Sequence, residues 1–224
     1  MKKFMILAAV AMLVGRASAA VRDTISLNAG WQFHLGELSG IEAVKNAKSE
    51  RVNLPHDFLI GQPWVEPDAS ERPDNSDAGS NVRSRLSPRG FKEMNVGWYR
   101  YVLTPKAEWK GRRVVLDFQG IMLVGDVWLN GKHIGKTDYG YLGFETDISS
   151  ILKYDGDNEI IVKANTQQPN NSRWYTGGGL YRDVNLIVTD KKLYFPRHPL
   201  FIRTENNKKV KIQAEIACFN KVDN

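Results

Sequence analysis

Apolar and polar positions alternate in short blocks along most of this chain. Trp31-Gln32-Phe33-His34-Leu35 alternates strictly, and residues 98–103 are dense in aromatic and β-branched side chains. Residues 113–118 (RVVLDF), 124–129 (VGDVWL), 159–164 (EIIVKA) and 184–188 (VNLIV) are further short apolar runs. Blocks of this length and composition predict strands rather than helices. Asn130-Gly131, between VWL and HIG, predicts a tight hairpin, because this pair accepts positive φ at both central positions. Asp155-Gly156-Asp157-Asn158 predicts a turn just ahead of EIIVKA. Helix signals are confined to 41–48 and 148–152, a turn or two each. Many short strands separated by turn signals predict an all-β, antiparallel sandwich or barrel. They exclude a (β/α)₈ barrel, which alternates strands with helices over about 250 residues.

Two stretches depart from this rhythm. Residues 66–96 hold three prolines, many charges and few core residues, and read as a long surface loop; loops of that length are often functional or mobile. From about residue 190 a new segment starts, punctuated by Pro196 and Pro199. Its residues 200–203 and 210–217 read as two strands around Glu205-Asn206-Asn207. Two strands bury no core alone, so 191–224 is expected to pack poorly, with Ile202, Val210, Ile212 and Ile216 uncovered.

The first residues stand outside any fold. Lys2 and Lys3 precede an uncharged apolar run from 4 to 14, and Ala17-Ser18-Ala19 follows as a small-residue cleavage site. That order predicts a secretory signal peptide over 1–19, cut after Ala19, and hence a periplasmic or secreted protein. No other apolar run approaches the length of a membrane span, so no membrane partner is expected. The formal net charge is +6, of which Lys2, Lys3 and Arg16 supply three; the rest is scattered among 25 acids. No basic stripe marks a nucleic-acid partner. Cys218 is the only cysteine, so stability must come from a core, which about 200 residues can supply. The four histidines are far apart, and neither a metal nor another cofactor is implied.

Several stretches, in order, resemble a known family. They are Asn53-Leu54-Pro55-His56-Asp57-Phe58, Gly97-Trp98-Tyr99-Arg100, and then VWLNGKHIG, GFETDISSIL, NEIIVKAN and SRWYTGGGLYRDV between 127 and 184. Together they resemble the sugar-binding domain of family 2 glycoside hydrolases, which include β-galactosidases, β-glucuronidases and β-mannosidases. The likeness covers 24–190. It implies a galactose-binding-like, jelly-roll antiparallel β-sandwich over 20–190, followed over 191–224 by the first strands of an incomplete immunoglobulin-like sandwich. The residues themselves read as mostly structural. Trp98, Tyr99 and Trp128 are read as core. His56 and Asp57 are read as hydrogen-bonding to backbone at a strand end, and Gly177-Gly178-Gly179 as a site of close backbone packing. Arg182 and Asp183 are read as partners of other residues rather than of each other.

Catalysis in the family resembles retaining glycoside hydrolysis, with two glutamates about 5–5.5 Å apart on a barrel. The acid/base there follows an asparagine. Asn158-Glu159 has that order but opens a strand of the sandwich, so it is given no catalytic role, and no catalytic residue is assigned. The resemblance implies that a sandwich loop, here Ser172-Arg173-Trp174-Tyr175, reaches the active site of the barrel. Some relatives carry an Asp at the place of Arg173. Arg173 can donate to sugar hydroxyls or a carboxylate, and Trp174 can stack on a sugar face; the alternative is that both only brace a domain interface. The implied function is the N-terminal part of a β-galactosidase-like enzyme without its catalytic barrel. The implied partners are an oligo- or polysaccharide β-glycoside and that barrel. A stand-alone carbohydrate-binding module of jelly-roll type is the alternative.

Overall fold

A computed structural model describes residues 22–64, 92–167, 175–205 and 209–218. The expected leader 1–19, most of the loop 66–96, Arg173 and Trp174 lie outside these residues. In chain order the strands of the main body are β1 (Asp23–Ser26), β2 (Trp31–Leu35), β3 (Glu50–Val52), β4 (Val96–Leu103) and β5 (Arg113–Phe118). They continue with β6 (Val124–Leu129), β7 (Lys132–Thr137), β8 (Phe144–Asp147), β9 (Asn158–Asn165) and β10 (Val184–Thr189). They form a four-stranded sheet, β1-β10-β5-β8, and a six-stranded sheet, β3-β2-β4-β9-β6-β7. Every strand pair is antiparallel. The expected β-sandwich is what these residues form.

The period of two explains the core. Along β9, Ile160, Val162 and Ala164 point between the sheets, while Glu159, Ile161 and Lys163 take the outer face. Val114, Leu116 and Phe118 of β5 and Val184, Leu186 and Val188 of β10 meet them from the other sheet, all buried. Trp31, Phe33 and Tyr99 complete the contact. Asn130 and Gly131 have φ of 52° and 83°, the mirror-image turn expected between β6 and β7. Residues 41–46 form a short 3-10 helix (Ile41–Asn46), and 148–152 make a single turn closed by Leu152 N–H donating to the Ile148 carbonyl.

Trp98 and Tyr99 are buried as expected of core residues and Trp128 is partly buried, but they belong to two separate clusters. Tyr99 lies in the main core, but Trp98 and Trp128 do not. They sit on the outer face of the six-stranded sheet, ring centroids 6.0 Å apart and stacked at 24°. Trp98 is nonetheless buried, because the 41–46 helix lays Val44 and Ile41 over it. Strand β4 is apolar on both faces, so its alternation does not say which face looks inward.

Beyond Thr189, β11 (Leu193–Tyr194) pairs with β14 (Ala217–Cys218), and β12 (Leu200–Glu205) with β13 (Lys209–Ala214). Leu200, Ile202, Val210 and Ile212 share one face of the β12–β13 hairpin and stay exposed, as does Ile216. Residues 193–197 depart from the expected loose packing. Arg113 of β5 lies 4.1 Å over the Tyr194 ring. Arg197 Nη2 lies 3.0 Å from Asp117 Oδ1, an ion pair whose N–H direction misses hydrogen-bond geometry. The outward residues of β5 thus hold the start of the segment against the four-stranded sheet.

Candidate functional site

The rim of the sandwich beside β4 gathers three of the stretches that carried the resemblance, 53–58, 97–100 and 175–184. After β3 the chain runs through Asn53 to Asp57 and enters a 3-10 helix, Phe58–Gly61. Asp57 caps that helix: its Oδ1 accepts from the Leu59 N–H at 3.0 Å. The same oxygen accepts from the Gly178 N–H at 2.8 Å, and Oδ2 accepts from the Tyr175 hydroxyl at 2.6 Å. One carboxylate therefore ties two segments over a hundred residues apart. His56 adds a second tie. Its backbone N–H donates to the Leu180 carbonyl at 2.8 Å, and its Nδ1 lies 2.9 Å from the Tyr99 hydroxyl. That hydroxyl also accepts from the Leu180 N–H at 3.3 Å.

Burial acts on both ring groups of this cluster. Burial pushes the Tyr99 phenol far above its ordinary value, so it stays protonated. Burial also lowers the His56 pKa, against the opposing pull of Glu50 and Asp57. A Tyr99 hydroxyl that donates to Nδ1 leaves the imidazole proton on Nε2. The expected backbone bonding of this pair holds for Asp57, whereas the His56 ring pairs with a side chain. A neutral phenol and a neutral imidazole closed on each other make no acid–base pair for hydrolysis. They make a latch.

The latch works because the glycines let the chain come close. Gly177 and Gly179 have φ of 81° and 102°, and a Cβ on Gly179 would overlap the Tyr99 hydroxyl. Gly179 also exchanges both backbone hydrogen bonds with Met122, at 2.7 and 2.9 Å. Tyr181 and Arg182 then pin the neighbouring loop, through the Tyr181 hydroxyl to the Gly140 carbonyl and Arg182 Nη1 to the Tyr141 carbonyl. Tyr139 and Tyr141 stand exposed on that loop with rings 5.5 Å apart. Asp183 accepts from the Asn28 amide at 2.9 Å, so Arg182 and Asp183 do serve different partners.

Arg173 and Trp174 precede the latched segment directly, and their own placement is outside the described residues. Asn158 is fully buried and bonds to the 153 and 156 carbonyls, stabilising the turn. Glu159 is engaged by Arg100 Nε at 2.5 Å and Lys45 Nζ at 3.3 Å, a structural job for that dipeptide. Among the described residues no group of three or more His, Cys, Asp or Glu is placed to hold a metal ion. Sequence reasoning missed the Asp57–Tyr175 bond and the Tyr139–Tyr141 pair. The run Tyr139-Gly140-Tyr141-Leu142, too aromatic for an ordinary turn, was the available signal for the second.

Comparison with known proteins agrees with the geometry. Residues 90–186 match the family described as glycosyl hydrolase 2 galactose-binding domain-like. The β-galactosidase BoGH2A of Bacteroides ovatus is 32% identical over 172 residues, covering 75% of this chain and 18% of that protein. A β-glucuronidase of Bacteroides fragilis is 30% identical over 183 residues, covering 79% of this chain and 22% of that protein. The crystal structure of a β-glycosidase from Bacteroides vulgatus superposes with a TM-score of 0.70 at 30% identity, over 89% of this chain and 25% of that one. The chain thus spans about a fifth of the length of the curated relatives it matches. Its 224 residues are fewer than the roughly 250 of a catalytic (β/α)₈ barrel, and the described ones are nearly all strand. The chain belongs to the glycoside hydrolase 2 family, as its galactose-binding-like N-terminal sandwich without the catalytic barrel.

Proposed function

We propose that this sandwich is the N-terminal, substrate-side domain of an exported retaining β-glycosidase of the β-galactosidase type. The observation that carries the reading is the double latch of Asp57 and His56 on residues 175–180. It fixes the chain that emerges directly from Arg173 and Trp174, and a substrate contact needs that kind of fixed support. In this reading Arg173 donates to sugar hydroxyls and Trp174 stacks on a ring, beside the barrel of the same polypeptide. The barrel supplies the nucleophile and the acid/base. Residues 191–224 begin an immunoglobulin-like domain between the two. The leader 1–19 directs export to the periplasm or beyond, with the mature chain starting at Ala20.

A β-glucuronidase is the second reading, favoured by the match to the Bacteroides fragilis β-glucuronidase. The test is the parent enzyme with aryl β-galactoside, β-glucuronide and β-mannoside. Preference for the galactoside, with a raised KM in Arg173→Ala and Trp174→Ala, supports the proposal. Preference for the glucuronide selects the second reading. A KM unchanged in both variants removes the rim contact. N-terminal sequencing of the exported protein checks the cut after Ala19.

A further inference from the structure

The outer face of the six-stranded sheet carries a groove that the rim does not explain. It is about 450 Å³ in volume, within the roughly 300–1,000 Å³ of small-molecule sites. It lies where β4 and β9 pair Leu103 with Asn158, six residues along the sheet from the Gly97–Ala164 pair near the latch. Its near edge is the Arg100–Ile161 pair, three residues or about 10 Å from Gly97–Ala164, and it opens on the outer face whereas Tyr99 of the latch points between the sheets. The groove is therefore separate from the latch of Asp57 and His56, and its reading goes beyond the proposed function.

The lining divides into an apolar floor and a polar wall. Ile41, Val102 and Ile161 form the floor. Arg100 stands in the wall, oriented by two bonds: Nε to Glu159 and Nη1 to Gln32 at 2.6 Å. Its second amino group has no partner among the described residues. Glu42 and Lys153 line the same groove, and their side chains carry no hydrogen bond or ion pair among the described residues. Asp157 Oδ1 accepts from the Thr104 hydroxyl at 2.6 Å, and its other oxygen has no partner among the described residues. Free donors and free acceptors thus share the groove with apolar side chains.

The charges select the ligand. Lys45, Arg100 and Lys153 face Glu42, Asp157 and Glu159, so the groove has no net charge. A phosphate, sulfate or uronate chain gains nothing from such a field. A purely apolar ligand leaves the polar wall unpaired on burial. A sugar ring meets both demands, because each hydroxyl donates and accepts and the ring's C–H face is apolar. We propose that this groove is a second carbohydrate site, which takes a neutral oligosaccharide segment away from the rim.

The test is a titration of the isotope-labelled chain with a neutral β-galacto-oligosaccharide, followed by amide NMR shifts. The expected result is a saturable set of shifts at Asn130, Gly131, Lys153 and Asp157. Glu42→Ala and Lys153→Ala, both at exposed positions, should each weaken this binding at least fivefold while leaving the rest of the spectrum unchanged. Arg173→Ala and Trp174→Ala should leave the groove shifts intact, which separates this site from the rim reading. Shifts confined to residues 175–180, no saturation at all, or an affinity unmoved by both groove variants would overturn the proposal. A polygalacturonate fragment that binds the groove more tightly than the neutral sugar would overturn it as well.

Discussion

Gly179 shows how narrow the tolerances of the latch are. Its φ of 102° is a conformation that side-chain-bearing residues rarely adopt, and its missing Cβ makes room for the Tyr99 hydroxyl. Gly179→Ala therefore combines backbone strain of about 1–3 kcal/mol with displacement of a buried aromatic. The expected outcome is a clear fall in Tm, measured by thermal unfolding followed by circular dichroism. His56 sets a pH dependence. Its folded pKa lies below the ordinary 6.5, so the unfolded chain binds the proton more readily. Stability from this group is complete above pH 6.5 and falls as pH drops from there toward the folded value. A Tm profile between pH 8 and 5 should decline over that window, and His56→Gln should flatten the decline. Neither residue's partner was legible in the sequence. The His56–Tyr99 contact spans 43 positions and the Asp57–Gly178 bond spans 121, and only the closed sandwich brings them together.

Strands announced themselves where they carry a buried face. β2, β5, β6, β9 and β10 read directly, because one side of each must be apolar to fill the space between the sheets. β1, β3 and β8 did not. Their sequences DTIS, ERV and FETD are short and polar, and they exist because a neighbouring strand offers unpaired N–H and C=O groups. The segment after Thr189 is mixed in the same way. The β12–β13 hairpin was legible from its alternation, and its apolar face is uncovered as the alternation implied. The anchoring of 193–197 was not, since Arg113 and Asp117 look like ordinary outward polar residues of β5. Limited trypsin digestion should expose the difference. Lys209, Lys211 and Arg203 should be cut early, whereas Arg197, held by Asp117, should resist. The surviving core should then end near 203 rather than near 190. Asp117→Ala should move that boundary back toward 190.

The whole chain should be a folded domain that performs no chemistry by itself. Retaining glycosidases need two carboxyl groups about 5–5.5 Å apart, one ionised to attack and one protonated to donate. The two acids that the motifs bring forward are engaged otherwise. Asp57 is bound by two backbone N–H groups and a tyrosine hydroxyl, and Glu159 is neutralised by Arg100 and Lys45. Neither has a second carboxyl partner in its bonding. Purified residues 20–224 are therefore expected to show no turnover of aryl β-galactosides, β-glucuronides or β-mannosides above a buffer blank. Loss of a catalytic carboxyl pair removes many orders of magnitude of rate, so the assay has ample range. Glu159→Gln is the informative control. Turnover in the natural chain that disappears in this variant would make Asn158-Glu159 a catalytic pair after all, against its place in the ion network. Turnover that survives the variant would place the chemistry on acids outside that network. A blank result, together with a cooperative thermal transition, fits a domain whose contribution is to hold the rim and the groove in shape.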